Sequence, residues 1–231
     1  MIGILGGMGT QAGLDFCNKL AKLNRGKLDQ QYPMFVLYNK SNTPKRPENL
    51  KKYFNVLKAL VEGCKMLQKN KCKFIVMPCN TAHYWHKDIQ KKIKIPLISM
   101  PKEVYLATKK TCKKNSTIGI LCTEATLKTK IYNNYFDKNF KLISPEKKLQ
   151  KKSVNKAIKL VKMGKVKEAE IALRPAVKYL IKKKCKKIIL GCTELPIAIF
   201  AYKSFRKAKE SKLFIDPNLL LAEVCMEKYN K

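Results

Sequence analysis

Short apolar runs alternate along this chain with longer segments whose apolar positions recur every three or four residues. Ile2 to Leu5 is an apolar run relieved only by Gly3, and the turn-forming Gly6-Gly7-Met8-Gly9 follows it. That pairing predicts a buried strand, a loop and then a helix over about Gln11–Leu23. Met34–Tyr38 predicts a second strand. The polar stretch Asn39–Pro47 leads into a long helical pattern that ends near Asn70. Phe74–Met77 predicts a third strand, whose end carries Pro78-Cys79-Asn80-Thr81. A helix follows, then Pro96–Ser99 as a fourth strand. Strands separated by helices argue for parallel sheets with helices on their faces.

The second half repeats the first. Ile2-Gly3-Ile4-Leu5, with Thr10 behind it, returns 116 residues later as Ile118-Gly119-Ile120-Leu121, with Thr126 behind it. Lys71-Cys72-Lys73-Phe74-Ile75-Val76 runs into Cys79. At an offset of 113, Lys184-Cys185-Lys186-Lys187-Ile188-Ile189 runs into Cys192. Leu97-Ile98 before Pro101 is loosely echoed by Phe214-Ile215 before Pro217. The expected fold is α/β: two pseudo-symmetric lobes, each a mostly parallel sheet flanked by helices, with an active site in the cleft between them.

Composition narrows the class. The chain has 231 residues, 45% apolar and 29% charged, enough to bury a core in two lobes. No apolar run approaches the roughly 20 residues a membrane helix needs, so no membrane partner is expected. The first residues lack a basic segment and a cleavage site. With nine cysteines, an odd number, the expectation is a cytoplasmic protein with reduced thiols. The net charge is +34, yet only Arg25, Arg46, Arg174 and Arg206 among the 50 basic residues are arginine. Specific nucleic-acid readers gather charge in a stripe and use arginine forks or aromatics. Lysine on nearly every predicted helix face reads instead as a surface bias, with non-specific affinity for polyanions and no specific nucleic-acid partner.

Cys79 and Cys192 each follow an apolar strand and precede a predicted helix. Ligands of open parallel sheets bind beyond the carboxyl ends of the strands. Polar residues follow both cysteines, Asn80-Thr81 and Thr193-Glu194. Cys17, Cys64, Cys72, Cys112, Cys185 and Cys225 read as small packing residues. A helix N-terminus behind each of the pair would favour thiolate over thiol. Two like acid/base groups on opposite faces of one carbon suit stereoinversion: one removes a proton and the other returns one.

Four segments carry a family resemblance: Gly6-Gly7-Met8-Gly9, Pro78-Cys79-Asn80-Thr81-Ala82-His83, Ile118-Gly119-Ile120-Leu121 with Thr123, and Gly191-Cys192-Thr193-Glu194-Leu195-Pro196. The sequence resembles the aspartate/glutamate racemase superfamily, and its aspartate racemase branch in particular. The glutamate racemase branch fits less well, because Gly6-Gly7-Met8 and Glu194 stand where that branch carries Asp-Ser-Gly and a histidine.

The resemblance implies cofactor-independent racemisation of an acidic amino acid, with Cys79 and Cys192 as the paired acid/base residues. It places Asn80, Thr81, Thr193 and Glu194 around the substrate, Met8 and Gly9 at the floor, and Thr123 and Thr126 on the carboxylate. Arg46 matches an arginine that holds the distal carboxylate, and Lys162 a lysine beside the cleft; His83 helps orient its loop. It further implies a homodimer, with the last strand and helix returning to the first lobe. The lobes are then 1–98 plus 211–231, and 99–210. Thr10 and Cys122 depart from the pattern, standing where proline and glycine are usual. Cys122 adds bulk beside the expected carboxylate pocket.

Other chemistries fit less well. Gly7-Met8-Gly9-Thr10-Gln11-Ala12 matches a dinucleotide fingerprint, but Asn39 stands where an acidic residue should end the next strand. Cys79, His83 and His86 lack the spacing of a zinc site, and no metal is expected. No phosphate loop is present. The alternatives are a glutamate or broad-specificity racemase, a maleate isomerase, or a basic binding protein on a racemase scaffold.

Overall fold

The computed structural model describes residues 1–24, 28–45, 53–201 and 212–230. The chain divides into two compact units, Met1–Glu103 with Asn218–Lys231, and Val104–Pro217. Among the described residues no lysine is buried, so the lysine excess occupies surface positions in both units. No helix of the described residues is long and apolar enough to cross a membrane.

The first unit holds a three-stranded parallel sheet. Strand β1 (Ile2–Gly6) lies between β2 (Phe35–Asn39) and β3 (Phe74–Val76). Helix α1 (Thr10–Leu23) links β1 to β2, and α2 (Tyr53–Lys69) precedes β3. The sequence predicted a fourth strand at Pro96–Ser99. Only a single parallel bridge, Ile75 to Leu97, is present. Pro96 has no N–H to donate, and the chain turns into α4 (Met100–Thr111) directly after Ser99. Between β3 and that bridge lie a 3-10 turn (Thr81–Trp85) and α3 (His86–Gln90).

The second unit repeats this plan with one more strand. Strand β4 (Thr117–Cys122) pairs in parallel with β5 (Lys141–Ile143) and β6 (Lys187–Gly191), and β6 pairs with β7 (Phe214–Ile215). The order β5-β4-β6-β7 matches β2-β1-β3 followed by the Leu97 bridge. The helices are α5 (Glu124–Thr129), α6 (Asn133–Phe136), α7 (Lys147–Leu149), α8 (Lys156–Lys162), α9 (Val166–Lys182) and α10 (Leu195–Ala201). Strand β7 therefore belongs to the second sheet, against the expectation that residues from 211 onward return to the first lobe. Its backbone completes the β6 edge. Only α11 (Pro217–Tyr229) returns: Asn218 donates to Ala12 O at 3.2 Å, and Tyr229 Oη accepts from Met34 N–H at 3.2 Å.

The repeat reaches side-chain detail. Cys72 and Cys185 cover Gly3 and Gly119 of the central strands, and a Cβ on either glycine would stand 3.2 Å from the facing Sγ. Lys71 and Lys184 both adopt left-handed backbone, φ 59° and 58°. They close α2 and α9, and Cys72 and Cys185 then donate backbone hydrogen bonds to Leu67 O and Leu180 O. This is the six-to-one closure that usually selects glycine.

Candidate active site

Among the described residues, Met8, Gly9, Cys79, Asn80 and Thr81 follow strands of the first sheet at their carboxyl ends, and Thr123, Thr126, Cys192, Thr193 and Glu194 follow those of the second. In the first unit, Gly7 makes the turn after β1 with φ 86°; a Cβ there would meet Lys40 C at 2.3 Å. Gly9 caps α1, and Thr10 is its first helical residue, a position that also accepts proline. The helix start tolerates either residue, but the Thr10 hydroxyl also accepts from Asn39 Nδ2 at 3.3 Å, a contact proline would lack. Met8 and Cys79 lie in one buried cluster with Leu5, Val56 and Trp85. Cys79 is 5% exposed, and Asn80 and Thr81 beside it are also buried. Arg46 lies outside the described residues.

His83 holds the Cys79 loop in place. Its Nδ1 stands 2.9 Å from Cys79 O, and its Nε2 accepts from Met100 N–H at 3.1 Å. Both contacts are met by a neutral ring with the proton on Nδ1. Burial pushes the His83 pKa down to about 4, and the stacked His86 ring adds to the depression. His86 donates from Nε2 to Leu97 O at 2.7 Å.

In the second unit, Cys192 follows β6 and is buried, as are Thr193 and Glu194. The Cys192 thiol donates to Glu194 Oε2 at 2.9 Å, and the Thr193 hydroxyl donates to the same oxygen at 3.4 Å. Lys162 Nζ, at the end of α8, lies 3.5 Å from Glu194 Oε1. Burial raises the Cys192 pKa well above the ordinary thiol value; the Glu194 charge and hydrogen bond raise it further, and Lys162 opposes them. These influences run against the thiolate-favouring effect expected of a helix terminus. Desolvation and an adjacent carboxylate outweigh the short α10.

Thr123 caps α5 by accepting from Thr126 N–H at 3.1 Å, and the two hydroxyls lie 3.0 Å apart. Cys122, fully buried, fills the space left by Gly191, where a Cβ would stand 3.0 Å from its own. Its bulk is absorbed between β4 and β6.

Sequence reasoning missed two features here. Gln150, buried in a π-helical segment (Gln150–Asn155), donates to Cys122 O at 2.8 Å and to Asn155 Oδ1 at 2.9 Å. Asn155 in turn donates to Glu124 Oε1 at 2.7 Å, so one chain of amides braces the Cys122-Thr123 corner. The second is Tyr132, fully buried within electrostatic reach of Cys122, Cys192 and Asp216. Carboxamides in a lysine-rich stretch, and one tyrosine among ten, carry no periodic signal.

The profile of the Asp/Glu/Hydantoin racemase family matches residues 5–225. The chain belongs to this family. It is an amino-acid racemase, and hence an isomerase. This racemase is similar to the broad specificity amino-acid racemase RacX of Bacillus subtilis, 29% identical over 199 residues, covering 84% of this chain and 86% of that one. It is 26% identical over 175 residues to the glutamate racemase of Persephonella marina, covering 74% of this chain and 65% of that one. Its fold matches Picrophilus torridus aspartate racemase with a TM-score of 0.84 and 29% identity, over 100% of this chain and 94% of that one.

Proposed function

We propose that this racemase interconverts L- and D-aspartate without a cofactor, with Cys79 and Cys192 acting on opposite faces of the α-carbon. The observation that carries this reading is the repeat itself. Each cysteine follows the strand paired to its unit's central strand, buried, as a free thiol, with hydroxyl or amide side chains next in sequence. The likeness to an aspartate racemase over the whole chain supports the substrate.

In one direction a thiolate at Cys79 takes the α-proton. The C–H bond breaks, an S–H bond forms, and the electron pair moves into the α-carboxylate. The Cys192 S–H bond then breaks and its proton adds to the other face of the carbon, leaving a thiolate. Solvent exchange resets both sulfurs. The α-proton of an amino acid is a poor acid, and enzymes lower such barriers by about 8–23 kcal/mol. Hydrogen bonds aimed at the carboxylate as it gains charge must supply much of that, a task suited to Asn80, Thr81, Thr123, Thr126 and Thr193. Arg46 is the proposed holder of the distal carboxylate, since its fork matches a carboxylate bidentately.

The test is chiral chromatography of L-aspartate, L-glutamate and several neutral amino acids incubated with reduced protein and no pyridoxal phosphate. D-aspartate is expected, and Cys79→Ser and Cys192→Ser are each expected to lose about 10²–10⁴-fold in rate. Turnover of many amino acids would favour the broad specificity that the likeness to RacX supports. Full activity in either serine variant would refute the two-thiol reading.

A further inference from the structure

The two cysteines hold matching places in the repeat but sit in unlike surroundings. At the offset of 113 that aligns Cys79 with Cys192, Asn80 aligns with Thr193 and Thr81 with Glu194. The second unit therefore carries a carboxylate where the first carries a hydroxyl. Glu194 is 4% exposed and grips Cys192 Sγ at 2.9 Å, while Lys162 Nζ stands 3.5 Å from its other oxygen. Glu194 Oε2 is the acceptor in that contact and the Cys192 thiol the donor, so the shared hydrogen is on sulfur. A thiolate at Cys192 would lose that hydrogen bond and face the Glu194 oxygen 2.9 Å away in a buried setting. Among the described residues, no side chain is hydrogen-bonded to the Cys79 thiol.

We propose that Glu194, held by Lys162, fixes Cys192 as the thiol in the resting protein, so that Cys192 begins a turnover as the proton donor and Cys79 as the base. The assignment of donor and base rests on the two-cysteine reading of the site. The titratable groups facing Cys192 are Glu194 from its own loop, Lys162 from α8, and the Tyr132 phenol just before α6, itself beside Cys122 of β4 and Asp216. Burial holds Tyr132 neutral, and Lys162 is half exposed. Among the described residues, Glu194 is thus the buried carboxyl group hydrogen-bonded to the sulfur. Both Glu194 and Lys162 act through Cys192 and are positioning residues in this scheme.

After one turnover Cys79 carries the proton taken from carbon, and Cys192 is left as a thiolate against Glu194. That state regains a proton from solvent, and Cys79 gives its proton up. The resting form is restored with no net change in charge.

The test reads the thiol directly. Alkylation of Cys192 by iodoacetamide is followed by peptide-resolved mass spectrometry across pH, with the pH profile of kcat/KM alongside it. In Glu194→Gln, the alkylation midpoint and the alkaline limb of kcat/KM are expected to fall by at least about one unit. That is about tenfold faster labelling at a fixed pH below the midpoint. The Cys79 midpoint is expected to stay put, and Glu194→Asp to keep the original values. Lys162→Met, on the half-exposed end of α8, is expected to move both readings the other way. Unmoved midpoint and limb in folded Glu194→Gln, as judged by circular dichroism, would overturn the proposal. So would a Lys162→Met shift in the same direction as the Gln variant. If the midpoints move as expected but no amino acid is racemised, the role of Glu194 stands and the two-cysteine racemase reading fails.

Discussion

Acid should loosen the Cys79 loop through a single ring. His83 is buried, with Nδ1 spent on Cys79 O and Nε2 on Met100 N–H, and burial holds its pKa near 4. A proton arriving at Nε2 would face the Met100 N–H donor, offset only in part by Ile98 O at 3.4 Å. In the unfolded chain the same ring titrates at about 6.5, so the unfolded state takes up its proton first. Stability from this group is complete above pH 6.5 and is lost as pH falls toward 4. The slope reaches about 1.4 kcal/mol per pH unit, and the total is about 3 kcal/mol. His86 is also depressed by burial and acts in the same direction. The discriminating variant is His83→Asn, which keeps a donor near the Nδ1 position and leaves Met100 N–H without its acceptor. It is expected to cost about 1–3 kcal/mol at pH 7. Urea unfolding at pH 7, 5.5 and 4 then compares slopes. Rising positive charge at low pH destabilises both proteins alike. The variant is expected to lose about 3 kcal/mol less than the parent between pH 7 and pH 4, so the two curves converge. Parallel curves would refute the assignment of the acid lability to His83.

Two further expectations concern the backbone. Lys71→Gly and Lys184→Gly each relieve a left-handed residue that costs about 1–2 kcal/mol, and each is expected to stabilise by up to about 1 kcal/mol in the same urea assay. A loss of stability in both would contradict the helix-closing geometry. Gly7→Ala combines a φ of 86° with a Cβ placed 2.3 Å from Lys40 C, so it is expected to destabilise by more than about 1 kcal/mol and to depress racemisation by displacing Met8. A neutral result in both readouts would show that the loop relaxes freely.

The repeat was legible because it is written in strands and in the residues that cover them. Ile2–Leu5 and Ile118–Leu121 are central strands that tolerate only apolar residues and a glycine, and Cys72 and Cys185 persist as caps over those glycines. The cysteines after β3 and β6 stood out because polar side chains follow them at the edge of a core. Less was legible where a backbone neighbour decides the outcome. The segment at Pro96–Ser99 has strand-like composition but forms a single bridge, and Phe214–Ile215 pairs with β6 rather than returning with α11. Around Cys192 the local sequence shows a helix start but not the burial or the Glu194 contact. Glu194 was named for the substrate, and its contacts to Cys192, Thr193 and Lys162 were not foreseen. The Gln150–Asn155–Glu124 brace joins residues from α5 and a π-helical turn that only the folded chain brings together.

The central claim, two thiols on opposite faces of one carbon, is tested most directly by isotope. L-aspartate is incubated with the protein in D2O, and substrate and product are separated by chiral chromatography at a few per cent conversion. The expected result is D-aspartate carrying deuterium at the α-carbon while the recovered L-aspartate keeps its protium. One sulfur removes the proton and the other delivers a solvent-derived deuteron. D-aspartate that retains the α-protium, or deuterium entering substrate and product at equal rates, would mean a single base and contradict the account.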